Sequence, residues 1–164
     1  MSQSFLKRLP LSRFEVDRDY LARERPDLIV SAFDNDPGAL EVAWANAARL
    51  GLEVSFGLAD LVDEGRYDAV LANLPYVEAG LELEPEVSVW EPPGALFAGP
   101  DGLAVVRRLV GLMSQRRHRP SLLALEIGPS QAAEVSELVR SAGFGSVEVL
   151  PDLAGHDRVV VGRA

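Results

Sequence analysis

A short tetrad carries the clearest chemical signal in the sequence. Asn73, Leu74, Pro75 and Tyr76 directly follow an apolar segment that ends at Ala72. The side-chain oxygen of Asn73 and the carbonyl oxygen of Leu74 can accept hydrogen bonds from both N–H groups of a planar nitrogen. Pro75 fixes φ and biases Leu74 toward an extended conformation, while Tyr76 offers an aromatic face. The tetrad suits an amide or amino group held in place, although Asn and Pro are also common in ordinary turns.

Two acidic residues stand where predicted strands end. Asp34 follows the apolar run 28–33, and Asp60 comes shortly after the run 54–56. In nucleotide-binding α/β sheets the ligand lies outside the carboxyl ends of the strands, where a carboxylate can accept hydrogen bonds from ribose hydroxyls. An acid after the neighbouring strand can accept one from an adenine amino group. Together the two acids favour a nucleoside site, whereas Asp34 alone would equally suit the start of a helix.

The elements that must position these residues alternate between strand and helix from Asp27 onward, which is typical of a mostly parallel α/β sheet. We expect strands at residues 28–33, 54–56, 67–72, 122–127, 147–150 and 158–161, and helices at 37–50, 103–117 and in the stretch ending at Gly143. Asp36 and Pro37 should begin the first helix and Gly51 should end it. Residues 151–157 are too few for a crossover helix, so the last two strands should pair antiparallel.

Composition excludes several classes of protein. The chain has no cysteine, and its two histidines lack metal-ligand spacing, so we expect no disulfide, thiol nucleophile or metal. No apolar run approaches the length of a membrane span, and the N-terminus lacks signal-peptide features, which predicts a cytoplasmic protein with no membrane partner. The net charge of −9 disfavours a nucleic-acid partner, because such binding rests on Lys and Arg.

Several segments, which occur in the same order as in that family, make the chain similar to the bacterial release-factor glutamine methyltransferases. They are Asp68-Ala69-Val70-Leu71-Ala72 with the tetrad, Trp90-Glu91-Pro92 with Ala95-Leu96, Gly99-Pro100-Asp101-Gly102-Leu103, Leu125-Glu126-Ile127-Gly128, and Asp152-Leu153-Ala154-Gly155-His156-Asp157-Arg158. Asp34, Ala39-Leu40 and Asn46 add matches within residues 24–61. Members of this family methylate the side-chain amide of the Gln in the Gly-Gly-Gln loop of peptide chain release factors.

The resemblance implies a Rossmann-like class I methyltransferase fold, which is a doubly wound, mostly parallel sheet ending in an antiparallel hairpin. It also implies S-adenosylmethionine as cofactor and a peptide chain release factor as protein substrate. By the same resemblance, the substrate amide is held by Asn73, Leu74, Pro75 and Tyr76; the cofactor is bound by Asp34, Asn35, Asp60, Leu61 and Asn73; Glu91 and Pro92 belong to a loop closing over the site; and Asp157 and Arg158 order the final hairpin.

The sequence departs from the family pattern in two places. Leu74 stands where the family tetrad usually has proline, a change that keeps the backbone carbonyl. The family's first strand and glycine-rich loop are missing or degenerate, since the first glycine is Gly38. We therefore expect an N-terminally truncated member, with an atypical segment at 1–26 and the catalytic domain at 27–164.

Two alternatives remain open. One is a degenerate member with weak or no cofactor binding, because glycines in that loop let the backbone approach the methionine part of the cofactor. The other is an RNA adenine amino-group methyltransferase, because those enzymes carry a similar Asn-Leu-Pro-Tyr tetrad. The net charge and the glutamates at 78, 82, 84 and 86 weigh against RNA.

Overall fold

A computed structural model describes residues 28–81 and 92–164 of the chain. The chain divides into two compact units, Met1–Gly65 and Arg66–Ala164, and each is described by itself. Glu91 and the N-terminal segment 1–26 lie outside the described residues. Across the parts of the chain that the structure describes, no helix is both long and apolar enough to span a bilayer.

The first unit contains a strand–helix–strand motif. Strand β1 (Val30–Asp34) leads into helix α1 (Pro37–Leu50), and strand β2 (Val54–Leu58) follows and pairs parallel with β1. The side chain of Asp36 accepts a hydrogen bond from the Gly38 N–H at 2.8 Å. Gly51 ends α1 in the left-handed conformation, with φ of 62°. The predicted helix start and stop are both confirmed, because both depend on local chain chemistry.

The second unit contains the remaining elements. They are β3 (Ala69–Ala72), α2 (Pro93–Leu96), α3 (Ala104–Gln115), β4 (Leu122–Glu126), α4 (Ala132–Ser141), β5 (Ser146–Pro151) and β6 (Asp157–Arg163). The sheet order is β3-β4-β6-β5, with β3 parallel to β4 and with β6 antiparallel to both β4 and β5. The mixed α/β class and the C-terminal antiparallel hairpin are confirmed.

The hydrophobic core lies in the second unit. Most of its fully buried side chains come from α3, β4, α4 and β6, and these are Val106, Leu109, Met113, Leu123, Leu125, Val135, Val139, Val160 and Val161; Leu103, Pro120 and Ile127 flank those elements. Helix α3 places three of them on one face at helical spacing. Among the described residues of the first unit, only Ala47 is buried. Close packing of buried side chains, which keeps neighbouring residues in fixed positions, is therefore found mainly in the second unit.

The described strands form a two-stranded sheet, β1-β2, in the first unit and a four-stranded sheet in the second. The strand predicted over 28–33 starts two residues later, at Val30, and Ile29 is 87% exposed. The strand predicted over 67–72 starts at Ala69.

Candidate functional site

The first unit brings the ends of its two parallel strands together. Asp34 lies opposite Leu58, and the N–H of Ala59 donates to the Asp34 carbonyl oxygen at 3.0 Å. Asp60 therefore follows β2 at the same carboxyl edge at which Asp34 ends β1. One carboxylate oxygen of Asp34 accepts the Asp36 N–H at 2.9 Å. Asp34 thus orders the turn before α1 while remaining exposed, and its role in ligand binding stays a prediction.

The backbone after Asp60 is bent into an unusual conformation. Leu61 has φ of 80°, and it is the one non-glycine residue with positive φ among the described residues. An L-residue in this region costs roughly 1–3 kcal/mol, and such residues cluster at ligand sites. Asp60 and Leu61 were both predicted to bind cofactor. The bend marks this strand end as a constrained segment rather than a relaxed loop.

The donor and acceptor chemistry of this edge fits the nucleoside part of S-adenosylmethionine. Asp34, Asn35 and Asp60 are all exposed, and carboxylate and amide oxygens are the acceptors that ribose hydroxyls and an adenine amino group need. The sequence before β1 offers no glycine that would let the backbone approach the methionine part. The residues present therefore fit the nucleoside half of the cofactor.

In the second unit the tetrad begins where β3 ends. Pairing with β4 continues as far as Ala72, which lies opposite Leu125, and residues 73–76 then leave regular structure. Asn73 is exposed, whereas Leu74, Pro75 and Tyr76 are half-buried. The predicted amide-binding side chain is thus the accessible member of an otherwise packed turn.

The chain just after the tetrad is held by a second pairing. The Val77 N–H donates to the Leu96 carbonyl at 2.9 Å, and the Val77 carbonyl accepts from the Ala98 N–H at 2.9 Å. This brings helix α2, which starts directly after Pro92, to the residue that follows the tetrad. Pro92 was predicted to lie in a loop near the site. The tetrad is therefore fixed by β3 on one side and by Val77 on the other.

Three residues that sequence reasoning did not select surround Tyr76. The Nε2 atom of Gln131 donates to the Tyr76 carbonyl at 3.0 Å. A Cβ at Gly102 would lie 2.2 Å from that same carbonyl oxygen, and a Cβ at Gly128 would lie 3.3 Å from Cδ2 of the Tyr76 ring. The signal for them is weak, because Gln131 is 55 residues from Tyr76 in sequence. Both glycines, however, lie in segments that carry the family resemblance.

An ion-pair cluster holds the turn that contains Gly102. Arg107 on α3 pairs with Asp101 at 2.7 Å and also with Glu134 on α4. Hydrogen bonding from Arg107, and then from the Leu103 N–H, lowers the pKa of Asp101 below its ordinary value. Hydrogen bonds to Asp101 and Glu134 raise the pKa of Arg107. The turn around Gly102 is therefore tied to two helices of the core.

The final hairpin is ordered by Arg158, as predicted. Its guanidinium donates to the Asp152 carboxylate at 3.3 Å and to the carbonyl of Ile127, just beyond β4, also at 3.3 Å. Asp152 accepts the N–H groups of Ala154 and His156 as well. The His156 N–H is the main cause that lowers the pKa of Asp152. Asp152 is thus the acid that partners Arg158 here, while Asp157 lies at the start of β6 opposite Pro151.

Comparisons with known proteins place these features in context. The chain is 40% identical over 149 residues to the release factor glutamine methyltransferase of Neisseria gonorrhoeae, covering 87% of this chain and 55% of that protein. It is 42% identical over 150 residues to the release factor glutamine methyltransferase of Cereibacter sphaeroides, covering 87% and 54%. A possible exported protein from Bordetella parapertussis shares the fold, with a TM-score of 0.51 and 19% identity over 82% of this chain and 53% of that one. No protein-family model matches the chain.

Fold and site together define an α/β protein with hydrogen-bond acceptors at the carboxyl ends of parallel strands. Within this class the chain is related to the release factor glutamine methyltransferases, which confirms the resemblance found in its sequence. The chain spans about half the length of the curated relatives that it matches. Within the described ranges 28–81 and 92–164, no cluster of His, Asp or Glu could hold a metal ion.

Proposed function

We propose that this chain catalyses the S-adenosylmethionine-dependent methylation of a glutamine side-chain amide in peptide chain release factors. Identities of 40% and 42% to proteins with that name support the assignment. The observation that carries it is the tetrad. Its exposed Asn73 follows β3, which is held by pairing with β4, and the backbone after the tetrad is held by the hydrogen bonds of Val77. The proposal keeps the catalytic domain at 27–164 and the cytoplasmic location expected from the sequence.

In this mechanism the tetrad acts on the substrate nitrogen. The Asn73 side-chain oxygen and the Leu74 carbonyl accept the two N–H groups of the glutamine amide, which fixes the nitrogen and the direction of attack. Tyr76 packs its ring beside the planar group. Because the amide lone pair is delocalised, orientation is the main contribution the residues can make. The amide loses one proton to solvent after transfer, so no strong base is needed.

The cofactor would be held by residues of the first unit. Asp34 and Asn35 would accept hydrogen bonds from the ribose hydroxyls, and Asp60 with Leu61 would hold the adenine end. S-adenosylmethionine, when bound, supplies the methyl group. The resemblance also assigns Asn73 to the cofactor, and this assignment stays a prediction.

A second candidate is a relative that keeps the fold without turnover. It is favoured by one observation, namely that the first glycine of the sequence is Gly38. Glycines in the family's loop let the backbone approach the methionine part of the cofactor, and residues 1–37 contain none. Affinity for the cofactor therefore separates the two candidates.

Titration calorimetry with S-adenosylmethionine is the first test, and no heat at millimolar cofactor supports the second candidate. A transfer assay with methyl-labelled cofactor then compares three acceptors: the release factor, the release factor with the loop Gln changed to Ala, and ribosomal RNA. The proposal expects label in the intact release factor alone. Label in ribosomal RNA would instead support the adenine methyltransferase alternative.

A further inference from the structure

Gln131 is the residue immediately before α4, but its side chain does not cap that helix. The residue before a helix usually turns its side chain back to accept N–H groups of the first turn. Gln131 is at that position with no such hydrogen bond, and it is only 8% exposed. Gln131 and Ser136 are the two buried polar residues among those the structure describes. A buried amide that does not cap its helix requires other partners.

Those partners are the main chains of three separate loops. The Oε1 atom accepts the Gly128 N–H at 2.9 Å, at the carboxyl end of β4. The Nε2 atom donates to the Tyr76 carbonyl at 3.0 Å, and the carbonyls of Gly102 and Asp101 lie at 3.4 and 3.5 Å. A single side chain therefore joins the tetrad to the two glycine turns that surround it.

The packing leaves Gln131 and the tetrad little freedom to shift. A Cβ at Gly102 would meet Gln131 Nε2 at 2.8 Å, and a Cβ at Gly128 would meet Gln131 Oε1 at 3.2 Å. Glycine at both positions lets the loops close around the amide. Arg107, paired with Asp101 and Glu134, holds one of these loops to the helices behind it.

Gln131 restrains the tetrad by holding the tetrad's backbone. Pro75 fixes its own φ and restricts Leu74, so the dihedrals with more freedom before Val77 are the ψ of Pro75 and those of Tyr76. The hydrogen bond from Gln131 fixes the direction of the Tyr76 carbonyl and, with Gly128 beneath the ring, the place of Tyr76. These contacts restrain the end of the tetrad that lies two residues beyond the Leu74 carbonyl.

We propose that Gln131 is a positioning residue for the amide-binding tetrad, acting through the Tyr76 carbonyl without touching the substrate. This inference rests on the proposed function. It predicts that the donor Nε2 matters for the chemical step, because misplacement of a binding group by about 1 Å can cost on the order of 100-fold in rate.

Gln131→Glu isolates the donor, since it keeps the shape and the acceptor for Gly128 but replaces the N–H aimed at Tyr76 with an oxygen. We expect kcat for release-factor methylation to fall about 10- to 100-fold. The matched control is Gln115→Glu, which makes the same change at an exposed position on α3. Val139→Ala, a core truncation in α4, controls for lost stability. If Val139→Ala lowers Tm as much as Gln131→Glu and lowers kcat equally, Gln131 is only structural and the proposal is overturned.

A second readout does not depend on activity. The chain has three tyrosines, so carbonyl-13C tyrosine labelling gives three assignable signals. Gln131→Glu should move the Tyr76 signal and leave the other two in place, while Gln115→Glu moves none. An unmoved Tyr76 signal overturns the proposal. If the unsubstituted chain transfers no methyl group, the proposed function fails and the positioning role fails with it. If the unsubstituted chain is active and Gln131→Glu keeps full kcat, the positioning role alone is overturned.

Discussion

The main chain of Gly102 lies against Tyr76 so closely that a Cβ at residue 102 would stand 2.2 Å from the Tyr76 carbonyl oxygen. Gly102 also has φ of 69°, in the left-handed region that other residues adopt at a cost. The contact links the turn before α3 to the last residue of the tetrad. A side chain at residue 102 would therefore clash with the Tyr76 main chain.

Gly102→Ala should lower the stability of the second unit. Left-handed alanine costs roughly 1–2 kcal/mol, and the clash with a main-chain oxygen adds to this, so we expect a loss of about 2–4 kcal/mol. The control is Gly111→Ala in α3, where a Cβ would meet nothing within 4 Å. That change should stabilise by about 0.5–1 kcal/mol, since alanine favours helix interiors. Urea unfolding measures both, and equal effects of the same sign would contradict the described turn.

Two neighbouring acids should differ in their effect on cofactor binding. Asp34→Asn keeps an oxygen for the Asp36 N–H but removes the charge that the proposed function assigns to the ribose hydroxyls. The Kd for S-adenosylmethionine should therefore rise roughly 10-fold or more. Asp36→Asn should change neither binding nor stability, because Asn caps helices as well as Asp does. Calorimetry on the two variants measures both Kd values. An equal loss of affinity in both would contradict the assignment of the Asp34 carboxylate to the cofactor.

The final hairpin should lose stability in acid. The His156 and Ala154 N–H groups and Arg158 lower the folded-state pKa of Asp152 below the ordinary 3.8. The ionised form is therefore favoured by folding, and the resulting stability is fully present above pH 3.8. It falls as pH drops below that value and is lost once pH passes the folded-state pKa. Asp152→Asn should lower stability at neutral pH and flatten this part of the pH profile, measured by thermal unfolding between pH 2 and 7. An unchanged profile would contradict the assigned hydrogen bonds.

Local signals in the sequence predicted the parts of the fold that depend on neighbouring residues. Asp36, Pro37 and Gly51 gave the bounds of α1 because capping uses atoms within a few positions. Strand starts were less certain, since they depend on the partner strand. Val30 begins β1 because its pairing with β2 begins opposite Val54. The strand order β3-β4-β6-β5 depends on pairing between distant segments, which no local pattern encodes.

The candidate site was predictable to the same degree. The tetrad and the strand-end acids stand out because their side-chain types and positions after apolar runs have chemical meaning. Gln131 does not, because its partners Gly102 and Tyr76 lie 29 and 55 residues away. Its role is visible only once the three loops are seen together.

The central claim is that the tetrad holds a glutamine amide for methylation. The most direct test is transfer of labelled methyl from S-adenosylmethionine to a release factor by the unsubstituted chain and by Asn73→Ala. The exposed helix residue Asn46 provides the control Asn46→Ala. We expect label on the loop glutamine with the unsubstituted chain and with Asn46→Ala, and a fall in kcat/KM of about 100-fold or more with Asn73→Ala. Equal transfer by Asn73→Ala and the unsubstituted chain would contradict the account.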